Sequence, residues 1–340
     1  MKERFNNFLA KESDSIQERT SFCCGLSSQE ASVSVHSDIR VIQAGLANEL
    51  VDFASVAPGF KVVLEPIASR QSIFVLESNE TGLVYNEQSR RAYLLGRAGD
   101  FIDGQAVAWV GYWLMEQQRQ EKSFFTMHLS ALTIDGKGIL LLGQSGAGKT
   151  SLLLDLCQKH SSTVVSNDLT VVKHDVNSGK LMLVDGTKEI RLRLASVDRN
   201  FPSLRHLFPD NIASAWESKV VVSPEDIGLR SETSQPELHS VFEVYLDSKG
   251  TDDLLIRQEK SIPIRYRLYE DMSRIIRGSA ISAFDSNQKF LGYMPSLDSD
   301  EIHDMRVSCI EEMVDNMGII SVSGGDINEV TEAIYRIVNR

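Results

Sequence analysis

The 340-residue chain is long enough for two domains, and its 42% apolar and 24% charged residues are typical of a soluble globular protein. Its net charge of -12 argues against nucleic acid or an anionic membrane surface as a partner. No apolar run approaches the ~20 residues of a membrane span, and the charged N-terminus lacks the apolar segment of a secretory signal. The four cysteines, at positions 23, 24, 157 and 309, have no metal-ligand spacing. We expect the adjacent Cys23 and Cys24 to remain thiols in a reducing cytoplasm.

The first third of the chain predicts a polar arm followed by a small domain. Residues 1–38 are polar and rich in serine, so we expect a partly disordered arm. Between residues 39 and 123, short apolar runs separated by glycine and asparagine predict antiparallel strands. The apolar run from Ala106 to Met115 predicts a helix, on which Trp109 and Trp113 stand four residues apart and pack in the core. These elements indicate a small α+β domain over residues 39–123.

Residues 124–340 predict a second domain. A strand over residues 124–134 that contains His128, a tight turn at Asp135-Gly136 and an apolar strand over residues 138–142 follow one another. Further along, residues 162–172 form a β-rich run, and residues 301–317 have the periodicity of an amphipathic helix. A late strand near Ile319 precedes a C-terminal helix.

A phosphate-binding loop is the most informative motif of this domain. The residues from Gly143 to Thr150 match the pattern G-x-x-x-x-G-K-T, between the apolar strand and an apolar helix. In such loops glycines let backbone N–H groups converge on phosphate oxygens, and the helix N-terminus adds a positive dipole. Lys149 would reach the β- and γ-phosphates, and the Thr150 hydroxyl would ligate Mg²⁺. The alternative is an ordinary glycine-rich turn. The predicted nucleotide-binding residues are Gly143, Gln144, Ser145, Gly146, Ala147, Gly148, Lys149, Thr150 and Ser151.

A phosphate loop also needs an acidic partner for the metal ion, because Mg²⁺ bridges and neutralises the phosphates. Asp168 is the best candidate, since Asn167 and Asp168 interrupt a run of apolar residues shortly after the loop helix. The alternative is a strand-end carboxylate that faces solvent. Glu189 is a second metal-ligand candidate, with a surface pair to Arg191 as its alternative.

Taken together, His128, the phosphate loop and the sequence Val-Val-Ser-Asn-Asp resemble HPr kinase/phosphorylase and its relatives. Glu189-Ile-Arg191 falls where that family has Glu-Ile-Arg-Gly, and the resemblance covers residues 124–270. The chain length and the preceding small domain resemble serine kinases of biosynthetic clusters, such as lasso-peptide kinases. The resemblance implies an α/β fold with a mixed sheet, whose P-loop core is similar to that of phosphoenolpyruvate carboxykinase.

The resemblance further implies ATP- and Mg²⁺-dependent transfer of a phosphoryl group to a serine hydroxyl. Thr150 and Asp168 would hold the metal ion, and His128 would lie near the transferred phosphate. A buried, hydrogen-bonded core histidine is the alternative for His128. One departure matters: Asn167 stands where the family has its general base, and an amide cannot take a proton at neutral pH. Phosphoryl transfer depends mainly on positioning and electrostatics, so a slower kinase remains compatible with this residue.

Four arginines are candidates to clamp a phosphate or a substrate, because a guanidinium fork matches phosphate oxygens. Alternating arginines are also common on the solvated face of a strand, so we expect one or two to be functional, Arg267 first and Arg191 second. The other two are Arg193 and Arg265.

Three functions follow from these residues. The first is an ATP-dependent kinase for a hydroxyl of a peptide, protein or small molecule. The second is a regulatory, nucleotide-binding pseudokinase, which Asn167 favours. The third is a transport-type ATPase, which ranks last because the chain lacks an apolar run that ends in Asp-Glu. The sequence does not identify the acceptor, the choice of ATP over GTP or the number of subunits in a homo-oligomer.

Overall fold

A computed structural model describes residues 20–39, 57–160, 162–211, 214–247, 249–259, 262–278 and 282–340, with single positions 16, 18, 42, 45, 46 and 53. The strands, in chain order, are β1 (Ser21–Ser28), β2 (Ala31–Ser37), β3 (Lys61–Val63), β4 (Ser72–Glu77), β5 (Gly82–Asn86), β6 (Arg91–Gly96), β7 (Phe124–Met127), β8 (Ser130–Ile134), β9 (Lys137–Leu142), β10 (Thr163–Ser166), β11 (Thr170–Asp175), β12 (Lys180–Gly186), β13 (Ile190–Arg193), β14 (Lys219–Val222), β15 (Leu238–Leu246), β16 (Leu255–Glu259), β17 (Ser282–Phe284), β18 (Phe290–Tyr293) and β19 (Ile319–Gly324). The α-helices are α1 (Gln105–Gln120), α2 (Lys149–Lys159), α3 (Leu194–Asn200), α4 (Ile262–Ser273), α5 (Asp300–Glu311) and α6 (Ile327–Val338). A π-helical turn over Glu312–Met317 follows α5.

The described chain forms two compact units. The first contains the described residues of Met1–Lys122 and Met272–Asp304, and the second contains those of Ser123–Asp271 and Met305–Arg340. This division differs from the prediction, which placed residues 272–304 in the second domain. The reason is packing: apolar side chains of this segment, such as Ile276 and Leu291, belong to the same buried cluster as Trp113.

The first unit is built on a six-stranded sheet with the order β3-β1-β2-β4-β6-β5. The prediction of antiparallel strands was wrong for part of this sheet, because β2 and β4 are parallel and so are β4 and β6. Helix α1 contacts β1, β2 and β4, and its Trp113 is fully buried, as the sequence predicted.

The serine-rich segment that predicted a partly disordered arm contains two paired strands, β1 and β2, which is a correction. Residues 1–15, 17 and 19 of the segment lie outside the described residues. The strands form because the serines are satisfied inside the sheet: Ser37 Oγ donates to Val75 O (2.8 Å), and Ser28 Oγ donates to Pro58 O (2.7 Å). Apolar residues between the serines, among them Leu26 and Val33, are fully buried.

The second unit has a six-stranded mixed sheet with the order β10-β8-β9-β15-β19-β16. Strands β9, β15 and β19 are parallel, whereas β8, β10 and β16 pair with their neighbours in antiparallel fashion. The carboxyl ends of the three parallel strands therefore meet at one edge of the sheet. Helices α2 and α6 contact each other, and α2 packs on β8 and β9.

Two smaller sheets complete the second unit, with the orders β12-β11-β7 and β13-β14. The observed fold is thus of mixed α/β class, as the resemblance implied. No helix in the described part of the chain is long and apolar enough to cross a bilayer.

Candidate functional site

The phosphate loop leaves the sheet at the carboxyl end of β9, whose residues from Gly138 to Leu142 are buried. Gly146 and Gly148 adopt positive φ angles of 84° and 92°, a left-handed conformation that side chains disfavour. Gly148 is the residue before α2, and a Cβ atom there would lie 2.8 Å from the Leu246 side chain. The Leu246 N–H donates to Ala147 O (3.0 Å), so the loop is tied to the end of β15.

Lys149 is nearly buried beneath this loop. Its Nζ donates to Gly143 O (2.7 Å) and to Gln144 O (3.3 Å). Burial lowers the pKa of Lys149, while the negative charges of Asp168 and Asp271 oppose this shift. The ammonium group is therefore held at the loop, where phosphate oxygens would replace the two carbonyl partners.

An acidic and a basic side chain meet on the other side of the loop. His128 Nε2 lies 2.8 Å from Asp168 Oδ1. The strand register explains this contact: β11 pairs with β7 so that Thr170 lies opposite Met127, which brings the residues just beyond each strand together. The hydrogen bond from His128 lowers the pKa of Asp168, and the charges of Arg191 and Lys149 add to this effect. Asp168 is thus a carboxylate over the whole physiological pH range.

Asn167 is buried beside this pair, and its backbone is fixed from two sides. Its N–H donates to Thr187 O (2.8 Å), and Ser130 Oγ donates to its carbonyl oxygen (2.6 Å). The side-chain Nδ2 donates to Glu189 O at 3.4 Å, whereas the buried Oδ1 has no hydrogen-bond partner among the described residues. Buried polar atoms are rarely left unpaired, so this oxygen can accept a hydrogen bond from a water molecule or a ligand in the cleft.

These residues line one cleft of roughly 370 Å³ in the second unit. It brings together most of the predicted site residues, namely His128, Lys149, Thr150, Ser151, Asn167, Asp168 and Arg191, with the loop from Gln144 to Gly148. The wall of the cleft that lies opposite the loop was not predicted from the sequence. It comes from α3, its neighbours and the ends of β15 and β19, and includes Arg199, Asn200, Trp216, Lys219 and Asp247.

Four predicted residues lie outside the cleft lining. The first is Gly143, which directly precedes the lining residues of the loop and accepts a hydrogen bond from Lys149 Nζ at its carbonyl oxygen. Glu189 has an exposed side chain and reaches Asn167 only through its backbone carbonyl. Arg267 Nη1 binds Glu243 Oε1 (2.6 Å), although its charge still lowers the pKa of Lys149. Arg265 forms an ion pair with Asp315.

The residues present fit a magnesium ion that is held mainly by phosphate. Thr150 and Asp168 supply a hydroxyl and one carboxylate in the same cleft, and the Asn167 Oδ1 atom is an unused oxygen beside them. No group of three or more His, Cys, Asp or Glu side chains within the described ranges could hold a metal ion by itself. Mg²⁺ is typically bound by one or two carboxylates together with substrate phosphates, which matches this composition.

No protein-family model matches the chain, and the search of curated proteins found no similar sequence. Among solved structures, the HPr(Ser) kinase/phosphatase from Coxiella burnetii is similar over 63% of this chain and 93% of its own. The sequence identity is 15%, and the TM-score is 0.30. The comparisons therefore assign no role to individual residues of the cleft.

Proposed function

We propose that the second unit binds a nucleoside triphosphate, ATP as the first candidate, and transfers its γ-phosphoryl group to a hydroxyl group. The acceptor hydroxyl belongs to a peptide, a protein or a small molecule, with serine as the leading candidate. The observation that carries this proposal is the cleft itself, in which the phosphate loop faces the His128–Asp168 pair.

Each residue has a distinct part in the proposed reaction. The backbone N–H groups of the loop and the Lys149 ammonium hold the β- and γ-phosphates. Mg²⁺, held by Thr150 and Asp168 with phosphate oxygens, would neutralise charge on the two phosphates. Arg191 lines the cleft and is close enough to Asp168 to lower its pKa, so its guanidinium can contact the transferred group.

In the transfer step, the acceptor oxygen forms a bond to the γ-phosphorus while the bond from phosphorus to the β,γ-bridging oxygen breaks. The hydroxyl proton passes to the Asp168–His128 pair. Asp168 is a weak base because its pKa is lowered, but the loose transition state of phosphoryl transfer needs little base assistance. In the bound acceptor, Asn167 orients the hydroxyl by accepting its hydrogen bond at the unpaired Oδ1 atom, and the proton turns to Asp168 only as the new bond to phosphorus forms.

A second candidate function is nucleotide binding without transfer, in a regulatory protein. Asn167 favours it, because the buried amide cannot replace a carboxylate as a base. The two functions differ in one observable: a regulatory protein binds ATP and releases it unchanged.

The test is transfer from ATP labelled at the γ-phosphate, with water, serine-containing peptides and small polyols as acceptors. We expect transfer by the full chain and its loss in Lys149→Ala. Lys159→Ala on the same helix is the matched control, since Lys159 binds Asp155 and Asn328 and does not line the cleft. Transfer that persists unchanged in Lys149→Ala would refute the proposal, and tight binding without transfer would select the regulatory function.

A further inference from the structure

Strands β13 and β14 bring two positive charges directly opposite each other. In their antiparallel register, Arg193 lies opposite Lys219. Like charges at opposite positions of an antiparallel pair destabilise a sheet. Neither side chain has an ion-pair partner among the described residues, although each lines the cleft that contains the phosphate loop. Among the described residues, no carboxylate therefore neutralises this pair, and an anion from outside the chain could do so.

Positively charged side chains outnumber negatively charged ones in the lining of the cleft. Five cations line it: Lys149, Arg191, Arg193, Arg199 and Lys219. The carboxylates of the lining are Asp168, which pairs with His128, and Asp247. Asp247 accepts hydrogen bonds from the N–H groups of Lys249 (3.0 Å) and Thr251 (2.9 Å), and these bonds lower its pKa to about 2. In a chain with a net charge of -12, this cleft is a local concentration of the opposite sign.

Trp216 completes the surface beside the two cations. Its side chain is 61% exposed, and the Arg193 guanidinium carbon lies 4.3 Å from its ring centroid. The turn that contains Trp216 is fixed to the start of α3, because Leu194 N–H donates to Ser218 O (3.1 Å). The ring supports one face of the guanidinium and leaves its donor edge free for a ligand.

We propose that Arg193 and Lys219 form a second anion site, which binds a phosphate group of the acceptor molecule. This inference rests on the proposed function. Arg191 lies near Asp168, where the acceptor hydroxyl would react, and Arg193 is two residues further on the same face of β13. The two arginines are thus about 7 Å apart along the strand. An acceptor that places its hydroxyl at Asp168 can therefore reach Arg193 and Lys219 with a phosphate of its own.

The chemistry of the pair favours a phosphate over a carboxylate. A guanidinium fork can bind two phosphate oxygens at once, and an ammonium group supplies a compact charge for the third. The triphosphate of the nucleotide has its own partners at the loop and Lys149. The acceptor class is therefore a hydroxyl compound that already carries a phosphate group.

The test measures the fluorescence of Trp216. The other two tryptophans, Trp109 and Trp113, belong to the core of the first unit. The full chain is saturated with Mg²⁺ and a non-hydrolysable ATP analogue, and inorganic phosphate is titrated while tryptophan fluorescence is recorded. We expect a saturable change that is absent in Trp216→Phe. In the double variant Arg193→Gln/Lys219→Gln, we expect the affinity for phosphate to fall at least about tenfold, since two charge-assisted contacts are lost. Acetate in place of phosphate should bind more weakly.

The matched control is Arg257→Gln/Lys173→Gln, which removes the same charge at positions outside the cleft lining. Thermal unfolding checks the fold of each variant, and the double cleft variant should melt at the same or a higher temperature because a repulsion is removed. The proposal is overturned if the wild type shows no saturable change, or if the double cleft variant binds phosphate as tightly as the control.

Failure of ATP binding can be distinguished from failure of the second anion site. If the ATP analogue does not bind, the phosphate titration is repeated without nucleotide in Lys149→Ala, where the loop cation is absent. Saturable binding that depends on Arg193 and Lys219 would then support the second anion site even though the proposed function had failed. If phosphate does not bind saturably in Lys149→Ala, both the second anion site and the proposed function are refuted.

Discussion

His128 Nε2 and Asp168 Oδ1 lie 2.8 Å apart, although 40 residues separate them in the chain (168 minus 128). Both residues stand just beyond the ends of strands, and the pairing of β7 with β11 places those ends side by side. The contact connects the loop that would hold the phosphates with the position where a hydroxyl would react. The same hydrogen bond lowers the pKa of Asp168, so the stability of the folded chain depends on pH in the acidic range.

The first prediction concerns this pH dependence. The pKa of Asp168 in the folded chain lies below the ~3.9 of an unfolded aspartate, so its stabilising effect is present above that pH. The effect is lost as the pH falls through the folded-state pKa. Because the side chain of Asp168 is 41% exposed, solvent screening limits the gain to about 0.5–1 kcal/mol.

Asp168→Asn should therefore lower the free energy of unfolding at pH 7 by about that amount, and by less at pH 3, below the ~3.9 of an unfolded aspartate. Urea unfolding at the two pH values measures the difference. The control is Glu217→Gln, an exposed carboxylate of the same unit. An equal loss of stability at both pH values would show that the hydrogen bond, and not the charge, is the stabilising feature.

The second prediction concerns Asn167, which is 5% exposed and donates its amide to Glu189 O. In Asn167→Asp, a carboxylate oxygen would face that carbonyl, and a second negative charge would lie next to Asp168. We expect a loss of about 1–3 kcal/mol in the free energy of unfolding at pH 7, since a buried group loses its partner. Thermal unfolding at pH 7 and at pH 4 measures it.

Protonation of the new carboxyl should restore part of this stability at the lower pH. We also expect slower phosphoryl transfer, because the orienting amide is lost. A variant with unchanged stability and faster transfer would contradict both expectations, and it would identify the chain as a kinase whose base had been removed by substitution.

The third prediction separates backbone strain from a steric clash. Gly148 and Gly136 both have positive φ angles, of 92° and 79°. A Cβ atom at Gly148 would lie 2.8 Å from Leu246, whereas a Cβ atom at Gly136 would meet nothing within 4 Å. Gly136→Ala should cost about 1–2 kcal/mol from the left-handed conformation alone.

Gly148→Ala should cost more, because the clash with Leu246 is added to the same strain, and it should abolish nucleotide binding. Chemical denaturation and a nucleotide titration of both variants give the comparison. Equal stability of the two variants would mean that the end of β15 moves away from the loop without cost.

The fourth prediction compares two arginines of α4 that each bind an acid. Arg267 binds Glu243, which lies opposite Leu142 in the sheet and thus beside the start of the phosphate loop. Arg265 binds Asp315. Removal of Arg267 leaves the Glu243 carboxylate unpaired beside the start of the loop, where its charge would repel bound phosphates, so Arg267→Ala should slow transfer by about tenfold.

Arg265→Ala is the matched control and should transfer at the rate of the wild type. Initial rates at saturating ATP measure both variants. Equal rates in Arg267→Ala and Arg265→Ala would exclude Arg267 from the reaction and leave Arg191 as the arginine of the site.

The sequence by itself determined the parts of the site that are contiguous in the chain. The turn at Asp135-Gly136, the buried strand β9, the glycine loop and helix α2 follow one another within about 25 residues, so local periodicity and glycine positions define them. The same local signals identified α1 and its buried Trp113.

Only the tertiary structure decided which distant residues complete the cleft. Serine-rich β1 and β2 are strands because partners elsewhere, such as Val75 O, accept their hydroxyl groups, and no local pattern contains those partners. Likewise, Arg193 is one of two alternating arginines in the sequence, and Lys219 has no motif. The role proposed for them depends on a strand register that joins positions far apart in the chain. Such registers are set by long-range packing, which a local pattern of residues does not encode.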